Sequence, residues 1–246
     1  MANWNDPRTT QRGMGSSPSL RGEVSSSTYD AGLRSYMLSI YNYMASGVLL
    51  SGVIALLFAR TGIALSVMTS GLGFVVMLLP LAFVFAMSFG VNKFSTGALQ
   101  AMFWGFAASM GMSLSTIFLV YTGGSIAATF FATAGAFAGL SLFGYTTKKD
   151  LSGMGSFLIM GVVGLLIAMV INMFLQSPGL MWAVSFLGVL IFAGLTAYDT
   201  QTLKRQYYAI RGTEFAGKAV IMGALRLYLD FINMFQFLLS FMGQRN

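Results

Sequence analysis

Two acidic side chains lie in stretches of the sequence that are otherwise apolar. Asp199 falls at the end of the apolar run 180–200, and Asp230 falls inside the run 219–242. An ionised carboxylate at membrane depth costs roughly 2.5–3.5 kcal/mol on insertion scales, so such residues normally face a bundle interior and have a polar partner. If the two helices are neighbours, both carboxyl groups cannot stay ionised in a poorly hydrated site, and they would share a proton. The sequence thus predicts that Asp199 and Asp230, if their helices meet, titrate as a coupled pair.

Other polar residues share a helix face with Asp230. Arg226, Asp230 and Asn233 are spaced i, i+4 and i+7, which puts them on one side of a helix. Phe237 and Ser240 extend the same stripe. The stripe has to be shielded from lipid, so we expect the last helix to be central and wrapped by the other helices.

A purely structural interpretation of these residues remains open. Arg226 and Asp230 could form a buried ion pair that fixes helix register. Asp199 would then be an interfacial anchor beside Lys204 and Arg205. The spacing of the residues does not decide between this interpretation and the coupled carboxyl pair.

The composition excludes several classes of protein. Of the 246 residues, 56% are hydrophobic and 9% charged, whereas about a quarter of the residues of a soluble domain are charged. The chain has no Cys and no His, which removes thiol nucleophiles and the usual zinc and haem ligands. The net charge of +7 is not gathered on a soluble basic module, so we expect no nucleic-acid partner. The composition predicts an integral membrane protein.

Seven apolar runs reach the length of about 20 residues that a bilayer span requires. They cover residues 36–59, 70–91, 97–121, 125–146, 154–175, 180–200 and 219–242. We predict an all-α integral membrane protein with seven transmembrane helices in a domain covering 35–243. Residues 1–34 are polar and rich in Ser, Gly and Arg, which predicts a disordered cytoplasmic tail.

The basic residues predict the orientation in the membrane. With the tail inside, the cytoplasmic connections hold Lys93, Lys148, Lys149 and the basic segment 204–218, and the opposite side holds Arg60 and Arg245. Cytoplasmic segments carry an excess of Lys and Arg, so the amino terminus is expected inside and the carboxyl terminus outside.

Small and aromatic residues predict how the helices pack. Gly135 and Gly139 permit a close helix–helix approach, either within the chain or in a dimer. We favour a contact within the chain. Tyr36 and Tyr41 lie near a span end, where tyrosines commonly form an interfacial belt.

Four sequence stretches resemble the bacterial branch of the transmembrane Bax inhibitor motif family. They are Thr147-Lys-Lys-Asp-Leu-Ser152, Ile171-Asn-Met-Phe-Leu-Gln-Ser-Pro178, Ala197-Tyr-Asp-Thr-Gln201 and Leu227-Tyr-Leu-Asp-Phe-Ile-Asn233. The last two are specific in combination, and the resemblance covers roughly 30 to 242. It implies seven helices with the last one central, in the cytoplasmic (inner) membrane of a bacterium.

The resemblance also implies a calcium leak gated by a paired-aspartate pH sensor, here Asp199 and Asp230. Some relatives have an arginine near the inner end of the second helix that bonds one aspartate in the closed state. This chain has Phe89-Gly-Val-Asn-Lys93 there. The latch is therefore missing, supplied by Lys93, or replaced by Arg226.

The function expected from these features is a passive, pH-sensitive calcium or cation leak. The two carboxylates with Asn233 fall short of the six to eight oxygens of a tight calcium cage, so calcium would be a weakly held permeant ion and no cofactor is expected. The alternative is an interaction protein that modulates a membrane-bound protease or stress response through the exposed tail. An enzyme is not expected, because no substrate site is evident and the motifs do not resemble those of intramembrane proteases.

Overall fold

The chain is described by a computed structural model that gives the backbone of residues 18–246 and the side chains from Ala31 onward, Met68 excepted. The helices in this part are α1 (Pro18–Arg60), α2 (Ile63–Thr69), α3 (Leu72–Gly90), α4 (Thr96–Leu114), α5 (Ile117–Val120), α6 (Gly123–Thr146), α7 (Ser152–Leu175), α8 (Pro178–Ile210) and α9 (Phe215–Met242). Residues 18–246 contain no β-strand, only an isolated bridge between Tyr121 and Arg245. The predicted all-α class is confirmed.

Local sequence explains where the helices begin and end. The hydroxyls of Ser95, Thr122 and Ser177 accept hydrogen bonds from the first-turn amides of α4, α6 and α8. Such caps satisfy amides that have no partner within the helix. Gly62 and Gly212 take left-handed backbone conformations with φ of 74° and 75°, which glycine adopts without the steric cost of a side chain.

Six helical segments are long and apolar enough to cross a membrane. They are Ala31–Arg60, Leu72–Gly90, Thr96–Val120, Gly123–Thr146, Ser152–Leu175 and Pro178–Ile210. They coincide with the first six predicted runs to within a few residues, except that the last continues to residue 210. Helix α9 is long enough, but it carries Arg226, Asp230 and Asn233 and does not belong to this set.

The boundary of the predicted tail differs from the start of the first helix. Residues 1–17 lie outside the described part of the chain, so disorder there stays a prediction. Residues 18–34, which the composition assigned to the tail, belong to α1 because that helix begins at Pro18. Proline suits the first turn of a helix, where its missing N–H would have no partner.

Helix α9 packs against α1, α3, α4, α6 and α8. Its Leu227 and Tyr228 are fully buried, and the Tyr228 ring lies 4.9 Å from that of Phe106 on α4. By contrast, α7 exposes large apolar side chains such as Phe174, which is 76% exposed. Helix α9 thus buries side chains such as Leu227 and Tyr228 against its neighbours, while α7 presents large apolar side chains outward.

The predicted contact of Gly135 and Gly139 within the chain is wrong. A Cβ atom added at either position would have no described atom within 4 Å, because this face of α6 points away from the other helices. The glycine of α6 that does meet a neighbour is Gly144, where a Cβ would overlap the carbonyl group of Ala197 on α8.

Candidate functional site

The structure brings Asp199 of α8 and Asp230 of α9 together. The two side chains lie within hydrogen-bonding distance of each other, and the residues are 6% and 4% exposed. Asp230 Oδ2 is buried and has no hydrogen-bond partner among the described residues. An arrangement of this kind suits two carboxyl groups that hold a proton between them.

Arg226 is the cation beside this pair. Its Nη1 lies 3.6 Å from Asp199 Oδ1, and it is close enough to Asp230 to interact electrostatically. The ion pair therefore joins α9 to α8 and is not the pair within α9 that the structural interpretation supposed. The physical reason is that the neighbouring helix brings a second carboxylate to the guanidinium.

The Arg226 side chain is 49% exposed. It is therefore less shielded than we expected for the polar stripe of the last helix. It borders a cavity of about 210 Å³ that Ser88 and Gln206 also line. Long basic side chains commonly keep the charged group near water while the stem packs on apolar surface. The cavity is lined mostly by apolar side chains, with Ser88 and Gln206 as the polar residues that line it beside Arg226.

Lys93 does not reach the aspartates. It is an exposed residue of the connection between α3 and α4, and it forms no ion pair within the described part of the chain. The carbonyl of Val91 in this connection instead accepts a hydrogen bond of 3.1 Å from Lys218 Nζ. Of the two candidate latches, Arg226 is the one that lies at the pair.

Asn233 and the rest of the stripe face α8 but do not join the carboxyl pair. Asn233 Nδ2 donates to the Leu229 carbonyl of its own helix at 2.8 Å. Further along, Ser185 Oγ donates to Ser240 Oγ at 3.0 Å, and the ring of Phe237 fills the space over Gly188. The expected supporting role of Asn233 at the acids has no counterpart in these contacts.

The acidic pair alone does not form a metal site. No cluster of three or more Asp, Glu, His or Cys residues occurs among the described residues. Calcium takes six to eight oxygen ligands, and here a guanidinium stands beside the carboxyl groups of Asp199 and Asp230. The arrangement suits proton sharing and, at most, the brief passage of a cation.

A chain of hydroxyl groups beside the pair was not anticipated. Tyr41 OH lies 2.5 Å from Ser141 Oγ, which is 2.9 Å from Thr200 Oγ1, and that hydroxyl donates to the Thr196 carbonyl. Tyr41 is therefore hydrogen-bonded between helices. Tyr36, 6% exposed with a buried hydroxyl, is not a belt residue. One sequence feature could have predicted this chain of hydroxyls: Thr196 and Thr200 are spaced i, i+4 in an apolar run.

Charged side chains tie the connections together at one end of the bundle. Arg205 lies 2.7 Å from Asp150 Oδ1 and also donates to Ser152 Oγ. The hydrogen bond from the Ser152 amide, with those of the Ser152 hydroxyl and Arg205, lowers the pKa of Asp150 to about 2. Lys204 and Arg205 are thus not beside Asp199, since Lys204 donates to the Tyr145 carbonyl. We call this end, formed by residues 91–95, 147–151 and 211–214, the basic end.

The chain is similar to several bacterial proteins over most of its length. It is 44% identical over 219 residues to the inner membrane protein YbhL of Escherichia coli, covering 87% of this chain and 94% of that protein. It is 48% identical over 238 residues to an uncharacterized protein of Caulobacter vibrioides, covering 92% and 94%. An uncharacterized protein of Rickettsia prowazekii, RP147, is 44% identical over 219 residues, covering 89% and 93%.

The matched region contains the site. Residues 33–246 match the family described as inhibitor of apoptosis-promoting Bax1, a range that includes both aspartates and the six apolar spans except the first two residues of the first span. The inner-membrane relative and the apolar helices agree on an integral protein of a bacterial inner membrane. The chain therefore belongs to the Bax inhibitor-1 family.

Proposed function

We propose that this protein is a passive cation leak of the inner membrane, permeable to calcium, whose opening is controlled by the protonation of Asp199 and Asp230. The observation that carries the proposal is the meeting of the two buried carboxyl groups from α8 and α9. A proton held between them stabilises the contact between the helices. Its loss would leave two negative charges at hydrogen-bonding distance, which biases the helix pair toward another arrangement.

We assign the observed arrangement to the closed state. Arg226 holds Asp199 from the neighbouring helix and takes the place of the arginine latch of some relatives. On the other side of the pair, the Phe231 ring packs 5.6 Å from each of the Phe130 and Phe137 rings of α6. An apolar constriction of this kind opposes the passage of a hydrated ion.

The proposal includes α9 as a seventh, central crossing. Support comes from its packing against five helices and from the contacts at its two ends. Lys218, near the start of α9, donates a hydrogen bond to the Val91 carbonyl at the basic end. Residues 244 and 245, which follow α9, contact Ser125 and Tyr121 at the opposite end of the bundle. Because basic segments favour the cytoplasm, the amino terminus would be inside and the carboxyl terminus outside.

The proposal assigns no catalytic step to the chain.

Calcium flux into dye-loaded liposomes tests the proposal. The unsubstituted protein should admit calcium at a rate that changes with pH. Asp199→Asn and Asp230→Asn each remove an ionisable group while keeping its size, so both should abolish that dependence. Asp150→Asn is the matched control, because Asp150 is an exposed acid of the basic end.

Two results would contradict the proposal. One is a flux no greater than that of protein-free vesicles. The other is a pH dependence that survives in both aspartate variants. If the aspartates were also dispensable in cells and deletion of residues 1–17 abolished capture of a partner, the protein would be an interaction protein instead.

A further inference from the structure

A groove of about 620 Å³ lies between α1 and α6 near the basic end. Its walls include Arg34, Met37 and Tyr41 on α1 and Phe137, Ser141 and Tyr145 on α6. These residues recur every three to four positions, so each helix presents one continuous face to the groove. The volume falls within the range of roughly 300–1,000 Å³ that is typical of small-molecule sites.

The bottom of the groove is closed by contacts to the inner helices. The bonded hydroxyls of Tyr41 and Ser141 reach Thr200 on α8, and the Phe137 ring packs against Phe231 on α9. Because these contacts separate the groove from the carboxyl pair, its occupant enters from the outside of the bundle. At this depth, the outside of a membrane-spanning bundle is lipid.

The mouth of the groove is positively charged. Arg34 is exposed there, and it forms no ion pair or hydrogen bond within the described part of the chain. Lys204 stands beside Tyr145 on the same side, with Nζ 2.7 Å from the Tyr145 carbonyl oxygen and 5.0 Å from the ring centroid. Basic pockets between membrane helices on the cytoplasmic side are suited to anionic lipid head groups.

We propose that this groove is a binding site for an anionic phospholipid of the leaflet at the basic end. An acyl chain lies along the apolar side chains between Met37 and Phe137, and the phosphate lies at Arg34. The apolar walls and the cation at one end match a molecule that is apolar along its length and negatively charged at its head. Arg34 takes no part in the proposed ion leak, whereas Phe137 of the groove wall also packs against Phe231 in the proposed constriction.

Native mass spectrometry of the purified full chain tests this site. The protein is mixed with equal amounts of dioleoyl phosphatidylglycerol and dioleoyl phosphatidylethanolamine, which share acyl chains but differ in net charge. Phosphatidylglycerol should be retained in preference. Arg34→Gln should lower the ratio of bound phosphatidylglycerol to phosphatidylethanolamine about fivefold, the equivalent of ~1 kcal/mol. Arg60→Gln, at the other end of α1, should leave the ratio unchanged.

A second pair of variants tests the place of the acyl chain. Ala138 lines the groove, whereas Ala136 is an exposed residue of α6 that does not. Ala138→Trp should reduce retention of both lipids, and Ala136→Trp should not. An unchanged thermal unfolding temperature of each variant would show that reduced lipid retention does not come from misfolding.

Several outcomes would overturn the inference. Equal retention of the two lipids by the unsubstituted protein would do so, as would an unchanged ratio in Arg34→Gln. Equal effects of the two tryptophan variants would place the lipid elsewhere. Displacement of phosphatidylglycerol by inorganic phosphate would assign the cation to free phosphate. Asp230→Asn should keep lipid retention intact, so failure of the proposed leak would not affect this result.

Discussion

The acidic residues of this chain behave according to their surroundings. Asp199 and Asp230 are buried between helices and have each other and Arg226 as neighbours. Asp150 is exposed on a loop and accepts hydrogen bonds from Ser152 and Arg205. Burial favours a neutral or shared-proton carboxyl group, whereas hydrogen bonds to the charged form favour ionisation. The same chemical group thus lies in a buried pair between helices in one place and in an exposed, hydrogen-bonded loop in another.

The carboxyl group of Asp150 should titrate with a midpoint near 2, which NMR of its side-chain carbon would measure. The hydrogen bonds from the Ser152 amide and hydroxyl lower the pKa most, and the hydrogen bond from Arg205 lowers it further. Since the folded pKa is below the unfolded value of about 3.9, the ionised group stabilises the loop above that pH. This contribution is lost as the pH falls through about 2.

Arg205→Gln provides the comparison for Asp150. The substitution should raise the midpoint but leave it below the ordinary value of 3.8, because the Ser152 hydrogen bonds remain. A midpoint that does not move would show that Arg205 and Asp150 are not in contact in solution.

At the scale of the helices, small residues decide which elements approach closely. Gly144 lets the backbone of α6 touch that of α8 at Ala197, next to the site residue Asp199. Gly188 of α8 leaves room for the ring of Phe237 on α9. These contacts hold α8 between α6 and α9 and so position the carboxyl pair.

Gly144→Ala should destabilise the protein by about 1–3 kcal/mol, since the new methyl group would overlap backbone that cannot turn away. Thermal unfolding in detergent measures the effect, with an expected fall in Tm. Gly139→Ala is the matched control on the same helix, where the added methyl has open space. It should leave Tm unchanged or raise it slightly, because alanine favours the helix more than glycine does. Equal losses in the two variants would argue against the α6–α8 contact.

For the whole molecule, the number of crossings determines where the carboxyl terminus lies. Because the chain has no Cys, single cysteine substitutions can be labelled without background. In intact cells stripped of their outer membrane, a membrane-impermeant maleimide should label Gln244→Cys. Lys148→Cys should react only after permeabilisation. Labelling of neither, or of both, before permeabilisation would be inconsistent with a seventh crossing by α9.

Much of the molecule could be predicted from the sequence because lipid imposes a simple rule. Apolar runs of sufficient length must be helices, since no water is present to satisfy exposed backbone groups. That rule accounts for the six apolar spans and for the suspicion that Asp199 and Asp230 are special. The same rule does not identify the last helix as an apolar span, because its polar residues lower its hydropathy.

Only the tertiary structure decided which polar groups meet. Helical periodicity relates residues within one helix, so it placed Arg226 with Asp230 and could not show that α8 supplies Asp199 as the ion-pair partner. For the same reason it could not exclude Gly135 and Gly139 from contact or find the groove beside Arg34. The sequence by itself determined which segments are apolar helices and which side chains are costly to bury. The packing of neighbouring helices determined their partners, because contacts between distant segments depend on the orientation of every helix around its own axis.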